Sequence, residues 1–344
     1  MKLISFLKKL NKHETLLRNF FLILSWFVIF WIALYPFTPI NVTEANATFQ
    51  INSGSNLNQI TNQLVETELL KDSLRFKTLT FITGNHKKLK RGYYKIPSDT
   101  SPLKLLDILV KGKEALFPIT LLEGSTFSQL LKLIHKNKNI KKTINGNDEN
   151  EILKLIGAEE KFVEGLFYPD TYYFRKNTSD VEILRNAYHV MQAKIKFLWE
   201  NRTDNLPYKS SYEALVIASI IEKEIGILEE APEIAGVFVN RLSIGMPLQS
   251  DPTVIYGMGD EFKGNIRRKD LKKDNMYNTY TRKGIPPSPI ATASLNSLEA
   301  ALNPATTENF YFVAKGNRMH HFSKTLKEHN RAVNKYQKKR RKKR

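Results

Sequence analysis

The chain of 344 residues contains no cysteine. That excludes disulfides, thiolate metal sites and a cysteine nucleophile, and it leaves the redox compartment open. Histidine is sparse: seven are scattered through the chain, and only His320 and His321 are adjacent. This falls short of the clustered ligands that a zinc site needs, so neither a metal nor a cofactor is expected. Negative charge is also scarce, with 34 Asp and Glu against 53 Lys and Arg. The net +19 is unevenly placed: the last ten residues carry eight positive charges and the first nineteen a net four, which leaves seven for the body between them. Basicity gathered in two tails does not describe a nucleic-acid-binding domain, and no nucleic-acid partner is expected. What is present is 42% apolar residues, enough to fill the cores of two ordinary domains.

Charge is absent altogether from Asn19 to Thr43. Inside that stretch, Phe20 to Tyr35 is apolar or aromatic except for Ser25. Extended to Phe37, the run approaches the ~20 apolar residues that a spanning helix requires. Trp26, Trp31 and Tyr35 suit the interfaces, and the basic flank on the N-terminal side predicts that end in the cytoplasm. Residues 1–18 are therefore expected to be a cytoplasmic basic segment and residues 19–38 a transmembrane anchor, with everything beyond on the extracytoplasmic side of the cell (inner) membrane. Ala45-Asn46-Ala47 has the form of a signal-peptide cleavage site. But the apolar run is longer than the ~7–15 residues of a signal peptide's apolar region, and Ala47 lies well past its end. An uncleaved anchor is the expectation.

Residues 46–115 read as a small α/β module. Thr48 to Ile51 is strand-like, Leu57, Ile60, Leu64 and Val65 share a helical face, and a second helix runs from Ser73 through Phe76, Leu79 and Phe81. A strand at Arg91 to Ile96 and a helix carrying Leu103, Leu106, Ile108 and Leu109 complete it. It contains no nucleophile or metal constellation, which leaves a spacer or a binding module. Residues 116–334 form a larger α+β domain, and the basic tail 335–344 is expected to be disordered.

Two stretches of the larger domain are candidates for chemistry. In Glu164 to Phe174, five aromatic residues flank a Pro-Asp turn. Rings with a few carboxylates suit a sugar-binding surface, which makes Tyr168 and Asp170 candidate substrate contacts, although an edge strand packing its rings inward gives the same pattern. The second stretch runs from Glu213 to Asp260. It opens as an apolar helix expected from Ser211 to Ile227, with Glu222 and Glu224 on it, and continues through a Gly-Met-Pro turn into a polar loop, Gln249, Ser250, Asp251 and Thr253. Glu224 follows Ile217 by seven residues and Ile220 and Ile221 by four and three, so these side chains share a face. A carboxyl among aliphatic side chains loses solvation of its charged form and its pKa rises, which is what a general acid near neutral pH requires. A solvated surface patch with Lys223, Glu229 and Glu230 has the same spacing, and spacing does not choose between the two glutamates.

The order E-G-L-F-Y-P-D-T-Y, A-S-I-I-E-K-E, V-F-x-N-R-L, G-M-P-L-Q-S-D-P-T-V-I-Y-G, Y-N-T-Y, G-I-P-P-x-P-I and N-x-x-x-H-H-F resembles the YceG-like endolytic murein transglycosylases. The resemblance covers the whole chain and rests on several long motifs in sequence. It implies an α+β protein with a single N-terminal transmembrane helix, a LysM-like module at 46–115 and a YceG-like catalytic domain at 116–334. It implies a lyase that cuts peptidoglycan glycan strands internally, beside the peptidoglycan synthases (penicillin-binding proteins) that make them. The family's catalytic glutamate falls on Glu224, with Glu222 in a supporting role. Asn240, Gln249, Asp251, Thr253, Tyr256, Asn278 and Tyr280 fall where the cleft is expected. Ser288 stands where the family pattern has Gly, and Ala293-Ser294 where it has Pro-Gly. Two rival readings remain: a non-catalytic peptidoglycan-binding scaffold of the envelope, and a hydrolase using Glu222 or Asp251 as a second carboxylate.

Overall fold

A computed structural model describes residues 2–146 and 148–338. The chain divides into two compact units, one up to Leu116 and one from Phe117 onward. Both are mixtures of helices and short strands, as the α+β reading anticipates.

The first unit begins with α1, Lys2–Leu34, followed by a short 3-10 turn, Tyr35–Phe37. Leu16–Phe37 forms 22 residues of mean hydropathy 2.2, long and apolar enough to cross a membrane. The hydroxyl of Ser25 is satisfied within the helix by the carbonyl of Phe21 at 2.7 Å. Beyond it lie β1 (Thr48–Ile51), α2 (Leu57–Glu66), α3 (Ser73–Ile82), β2 (Gly92–Lys95) and α4 (Pro102–Lys111). The two strands pair antiparallel, with Phe49 opposite Tyr94. Each helix starts on a side chain that takes up an orphan amide: Asn56 in a capping box with Gln59, Asp72 and Ser101. Phe49, Leu64, Phe76, Tyr94, Leu105 and Leu109 close the core.

The second unit contains β3 (Leu116–Thr120), α5 (Phe127–Lys136), α6 (Glu149–Ile156), β4 (Thr171–Arg175), α7 (Asp180–Glu200), α8 (Ser211–Glu224), α9 (Ala231–Ser243), α10 (Asp251–Met258), α11 (Arg268–Lys272), α12 (Leu295–Leu302), β5 (Tyr311–Ala314), β6 (His320–Ser323) and α13 (Leu326–Val333). Strands β3 and β4 pair, and β5 and β6 form an antiparallel hairpin with Phe312 opposite Phe322. Every residue of α8 from Ala214 to Ile221 is buried, because α7, α9, α10 and α12 pack around it. A helix with apolar residues on all sides belongs in such a central position.

Three local features differ from the sequence reading. Helix α8 ends at Glu224 rather than Ile227, because Ile225 turns extended. The stretch from Asp251 is not a loop but the first turn of α10, with Ser250 at the N-cap and Pro252 in the first turn. The final helix, read from the sequence as Thr325 to Tyr336, continues to Lys338, so the tail expected to be disordered from 335 begins in a π-helical turn, Asn334–Lys338, and the Tyr336 ring lies 5.6 Å from that of His321. The expected disorder of the tail concerns, beyond Lys338, residues 339–344, which lie outside the described residues.

Asp180, the first residue of α7, ties the domain's N-terminal part together. It is fully buried and accepts hydrogen bonds from the amides of Thr143 and Ile144, the Thr143 hydroxyl and His135 Nε2. Burial pushes its carboxyl up, but these donors outweigh that and hold it below the usual aspartate range. Asp180→Ala leaves the donors unpaired and is expected to cost about 3 kcal/mol, read as a lower urea midpoint at an unchanged m-value.

Candidate active site

Glu224 is the last helical residue of α8, and the chain beyond it has no freedom to continue the helix. A Cβ placed on Gly226 would lie 2.0 Å from the carbonyl oxygen of Arg318, in the turn between β5 and β6. That approach admits only glycine and fixes the exit from α8. The carboxyl is partly buried, beside the fully buried Ile217, Ile220 and Ile221. Ser250 Oγ donates to Glu224 Oε1 at 2.5 Å.

Ser250 is itself held. Its amide donates to Thr279 Oγ1 at 3.0 Å, and its carbonyl accepts from Thr253 Oγ1 at 2.7 Å. The two threonine hydroxyls lie 2.9 Å apart. Since the Thr253 proton is committed to Ser250, Thr279 donates to Thr253. The Gln249 amide donates to the Thr279 carbonyl at 3.1 Å. The exposed Gln249 adopts a left-handed backbone, φ 49°, which few non-glycine residues do outside special turns.

Burial pushes the Glu224 carboxyl up to about 7. The negative charge of Asp251 adds to this, while the Ser250 hydrogen bond and the Arg241 guanidinium oppose it. The position at the C-terminal end of α8 works in the same direction as burial, since helix carbonyls disfavour a nearby anion. Arg241 is buried and fixed by its donors, Nε to the Phe310 carbonyl at 2.6 Å and Nη1 to the Leu248 carbonyl at 2.5 Å.

The remaining predicted residues fall into separate groups. Asp251 is exposed and accepts from the Tyr280 hydroxyl at 2.6 Å, so the two stand together beside Glu224. Tyr256 donates to Glu164 Oε2 at 3.2 Å and meets the Tyr277 ring edge-on at 4.7 Å. Asn240 and Asn278 spend their amides on backbone. Asn240 Nδ2 donates to the carbonyls of Thr307 and Asn309, both at 2.9 Å. Asn278 is fully buried, donates to the carbonyl of Lys273 at 2.8 Å, and accepts from the Tyr280 amide at 2.9 Å. Both asparagines brace the loops that carry other site residues. Tyr168 is buried, with the Lys194 ammonium 5.0 Å from its ring centroid, and Asp170 accepts from the Thr171 amide at 2.7 Å. Phe167, Tyr172 and Phe174 are buried too, whereas Tyr173 is 66% exposed. The aromatic run is thus mostly core.

Glu222 turns away to another task. Its Oε2 accepts from the amide of Ser294 at 3.0 Å, the Ser294 hydroxyl at 2.5 Å and the Ser297 hydroxyl at 2.7 Å, which seals the N-terminus of α12. Ser294 and Ser288 serve this scaffold. Ser294 supplies a hydroxyl to Glu222, and the buried Ser288 accepts from the Tyr277 hydroxyl at 2.8 Å while donating to the Pro289 carbonyl.

Sequence reasoning placed Ser250 in the polar loop without giving it a role, and it gave none to Thr279 or Arg241. It also passed over Glu164. That carboxyl is buried and accepts from the amides of Phe127 at 2.8 Å and Gly165 at 3.2 Å and from Tyr256. Burial pushes it up to about 7, against the hydrogen bonds. A groove of about 1140 Å³ lined by Phe127, Lys132, His135, Lys136, Glu164 and Tyr256, among others, runs beside it. Glu164 opens the Glu-Gly-Leu-Phe-Tyr-Pro run, and only the fold reveals that it meets Tyr256, 92 residues away.

A partly buried carboxyl with a raised pKa, clamped by a serine and flanked by an aspartate–tyrosine pair, defines a site for acid–base chemistry. The YceG-like family matches residues 49–335. An endolytic murein transglycosylase of Bacillus subtilis (strain 168) is 31% identical over 313 residues, covering 85% of this chain and 86% of that protein. One of Streptococcus pneumoniae (strain ATCC BAA-255 / R6) is 29% identical over 302 residues, covering 78% of this chain and 54% of that protein. The 2.6 Å crystal structure of a YceG-like protein from Listeria monocytogenes is 28% identical, with a TM-score of 0.52, and covers 83% of this chain and 97% of that one. The chain belongs to the YceG-like family.

Because the Glu164 carboxyl rises from an ordinary 4.5 to about 7 on folding, the folded state holds its proton more tightly than the unfolded state. Its contribution is fully present below 4.5 and is lost as pH rises through 7, a change on the order of 3 kcal/mol. Glu164→Gln keeps an acceptor for the Phe127 and Gly165 amides but cannot titrate. Urea unfolding between about pH 4 and pH 8 is expected to show a shallower decline for the variant than for wild type. Equal slopes would mean that Glu164 stays ionised.

Proposed function

We propose that the chain is a membrane-anchored endolytic murein transglycosylase in which Glu224 is both general acid and general base. The observation that carries this reading is the Glu224 carboxyl itself, partly buried and pushed by burial up to about 7, in a chain of the YceG-like family. The relatives from Bacillus subtilis and Streptococcus pneumoniae carry the name endolytic murein transglycosylase.

The chemistry needs one carboxyl group. Protonated Glu224 gives its proton to the oxygen that links C1 of N-acetylmuramic acid to N-acetylglucosamine, and the C1–O bond breaks. The carboxylate then takes the proton from the muramoyl C6 hydroxyl, whose oxygen bonds to C1 and closes a 1,6-anhydro ring. The acid is restored and no water is consumed. Ser250 positions the carboxyl and favours its anionic state, easing the first transfer. Asp251 and Tyr280 are placed to meet sugar hydroxyls beside it, with Gln249 at the exposed edge. Thr253, Asn240 and Asn278 act through the loops they brace.

The first unit supports two finer readings. Its β1-α2-α3-β2 order fits a LysM-like glycan-binding module. The apolar span Leu16–Phe37 fits an uncleaved anchor with the basic end in the cytoplasm, which would keep the enzyme near the synthases that extrude new glycan. A two-carboxylate hydrolase remains the second reading because Asp251 stands close enough to Glu224 to raise its pKa.

Digests of isolated sacculi decide between them by mass. Wild type is expected to release anhydro-ended products, each lighter by one water than a hydrolase product, and Glu224→Gln to lose about 10²- to 10⁴-fold in rate. Release at wild-type rate by Glu224→Gln would sink the assignment. With the acid at about 7, kcat/KM is expected to hold at acidic pH and fall about tenfold per pH unit above 7. Ser250→Ala removes a bond that stabilises the carboxylate, so the alkaline limb should move to higher pH while kcat drops on the order of tenfold. An unmoved limb would show that the serine does not touch the working acid.

A further inference from the structure

Helix α3 is apolar on both sides. Phe76, Leu79 and Thr80 face the core of the first unit. Leu74, Phe81 and Ile82 are 72%, 59% and 72% exposed. Spaced by seven and eight residues from Leu74, these three share the outer face. A surface helix ordinarily turns polar residues outward, and clustered large apolar side chains mark a contact surface.

The position of α3 identifies what it contacts. Arg75, in its first turn, places its guanidinium 4.2 Å from the ring centroid of Trp31 and 4.7 Å from that of Tyr35, both on the apolar span Leu16–Phe37. Asp72 holds the same guanidinium at 2.6 Å. Trp31 lies six residues before the end of the span, so the first turn of α3 stands at the height of the span's outer end. Aromatic residues and arginine at such a level are the usual furniture of a membrane interface. From that fixed point α3 runs ten residues, about 15 Å. Lys77 lies on it, and the exposed Lys71, Lys87 and Lys88 flank it. Amphipathic elements that rest on bilayers pair apolar residues with such a basic rim, each cation contributing about 1 kcal/mol near anionic headgroups.

We propose that the outer face of α3 is a membrane-contact surface, with Leu74, Phe81 and Ile82 entering the headgroup–acyl boundary of the bilayer that α1 spans and the surrounding lysines meeting anionic phospholipid. This rests on the anchor reading of Leu16–Phe37. With α1 as the first contact and α3 as the second, the module is held in one orientation on the membrane instead of swinging on a tether.

The absence of native cysteine gives a direct test. Ile82→Cys and, as a control on the exposed side of α2, Asn58→Cys are each labelled with an environment-sensitive fluorophore. The full chain is then reconstituted into vesicles of phosphatidylglycerol and phosphatidylcholine. The label at 82 is expected to shift its emission to the blue and to be quenched by nitroxide lipids, and the label at 58 to remain as in water. Carbonate extraction of the same vesicles separates the two levels. A carbonate-resistant chain whose label at 82 stays in water overturns the α3 surface while the anchor stands. Equal insertion of both labels also overturns it, because no particular face would then be selected. A chain released by carbonate removes the anchor and the proposal with it.

Discussion

A carboxyl group keeps its proton near neutral pH only if its surroundings deny the anion solvation, and in this protein that condition is met by the packing of one helix. Helix α8 is enclosed by four others, and the helical spacing puts Glu224 on one face with the buried Ile217, Ile220 and Ile221. The helix stops at the acid, so the carboxyl emerges where the chain turns away and a ligand has access. The stop depends on Gly226, which no larger residue can replace beneath the Arg318 carbonyl. The β5–β6 hairpin therefore supports the candidate site through the Arg318 backbone. Opposing the desolvation is the Ser250 hydroxyl, held in turn by two threonines. The balance leaves an acid able to release its proton and to take one back.

Much of the framework is legible in the sequence because local rules dominate there. The capping residues Asn56, Asp72, Ser101 and Thr126 mark helix starts, and the apolar spacing of α2, α4 and α7 marks their faces. Glu222 and Glu224 show where such rules stop. Two residues apart on an apolar helix, they have nearly identical local contexts. What separates them is tertiary. One meets a pair of serines about 70 residues downstream and caps α12, and the other meets Ser250. No local pattern encodes which loop will return to which side of a helix. The family motifs distinguish the two acids only because they already embody that folded arrangement.

Polar residues in the motifs divide in a way that residue type alone could not reveal. Asn278 looks like a ligand-binding amide, yet it is fully buried and its amide and carbonyl oxygen are used on backbone. Asn240 likewise ties α9 to the loop before β5. Such residues matter to the site through geometry, since displaced loops would carry Tyr280 and Asp251 with them. Ser288 and Ser294 behave similarly: each hydroxyl is absorbed by a neighbour, one by Tyr277 and one by Glu222.

Helix α10 links two acids that burial pushes to about 7. At its start, Ser250 and Asp251 address Glu224; five residues after Asp251, Tyr256 donates to Glu164. Five residues of helix advance about 7.5 Å, so one short rigid element bears on both carboxyls. Their ionisation has different consequences. Loss of the Glu224 proton removes the acid that the proposed mechanism needs while leaving the fold in place. Loss of the Glu164 proton puts a charge into a buried junction of α5, α10 and the segment before β4, and so weakens the element that positions Ser250. The first effect is a one-proton change in rate, reversible at once; the second is a change in stability, visible without substrate. Because both fall in the same pH range, an activity profile alone would merge them, whereas unfolding measurements isolate the second. With Glu224 as the proposed acid and Glu164 in its supporting scaffold, neutral or mildly acidic conditions suit both, and rate and stability are expected to decline together on the alkaline side.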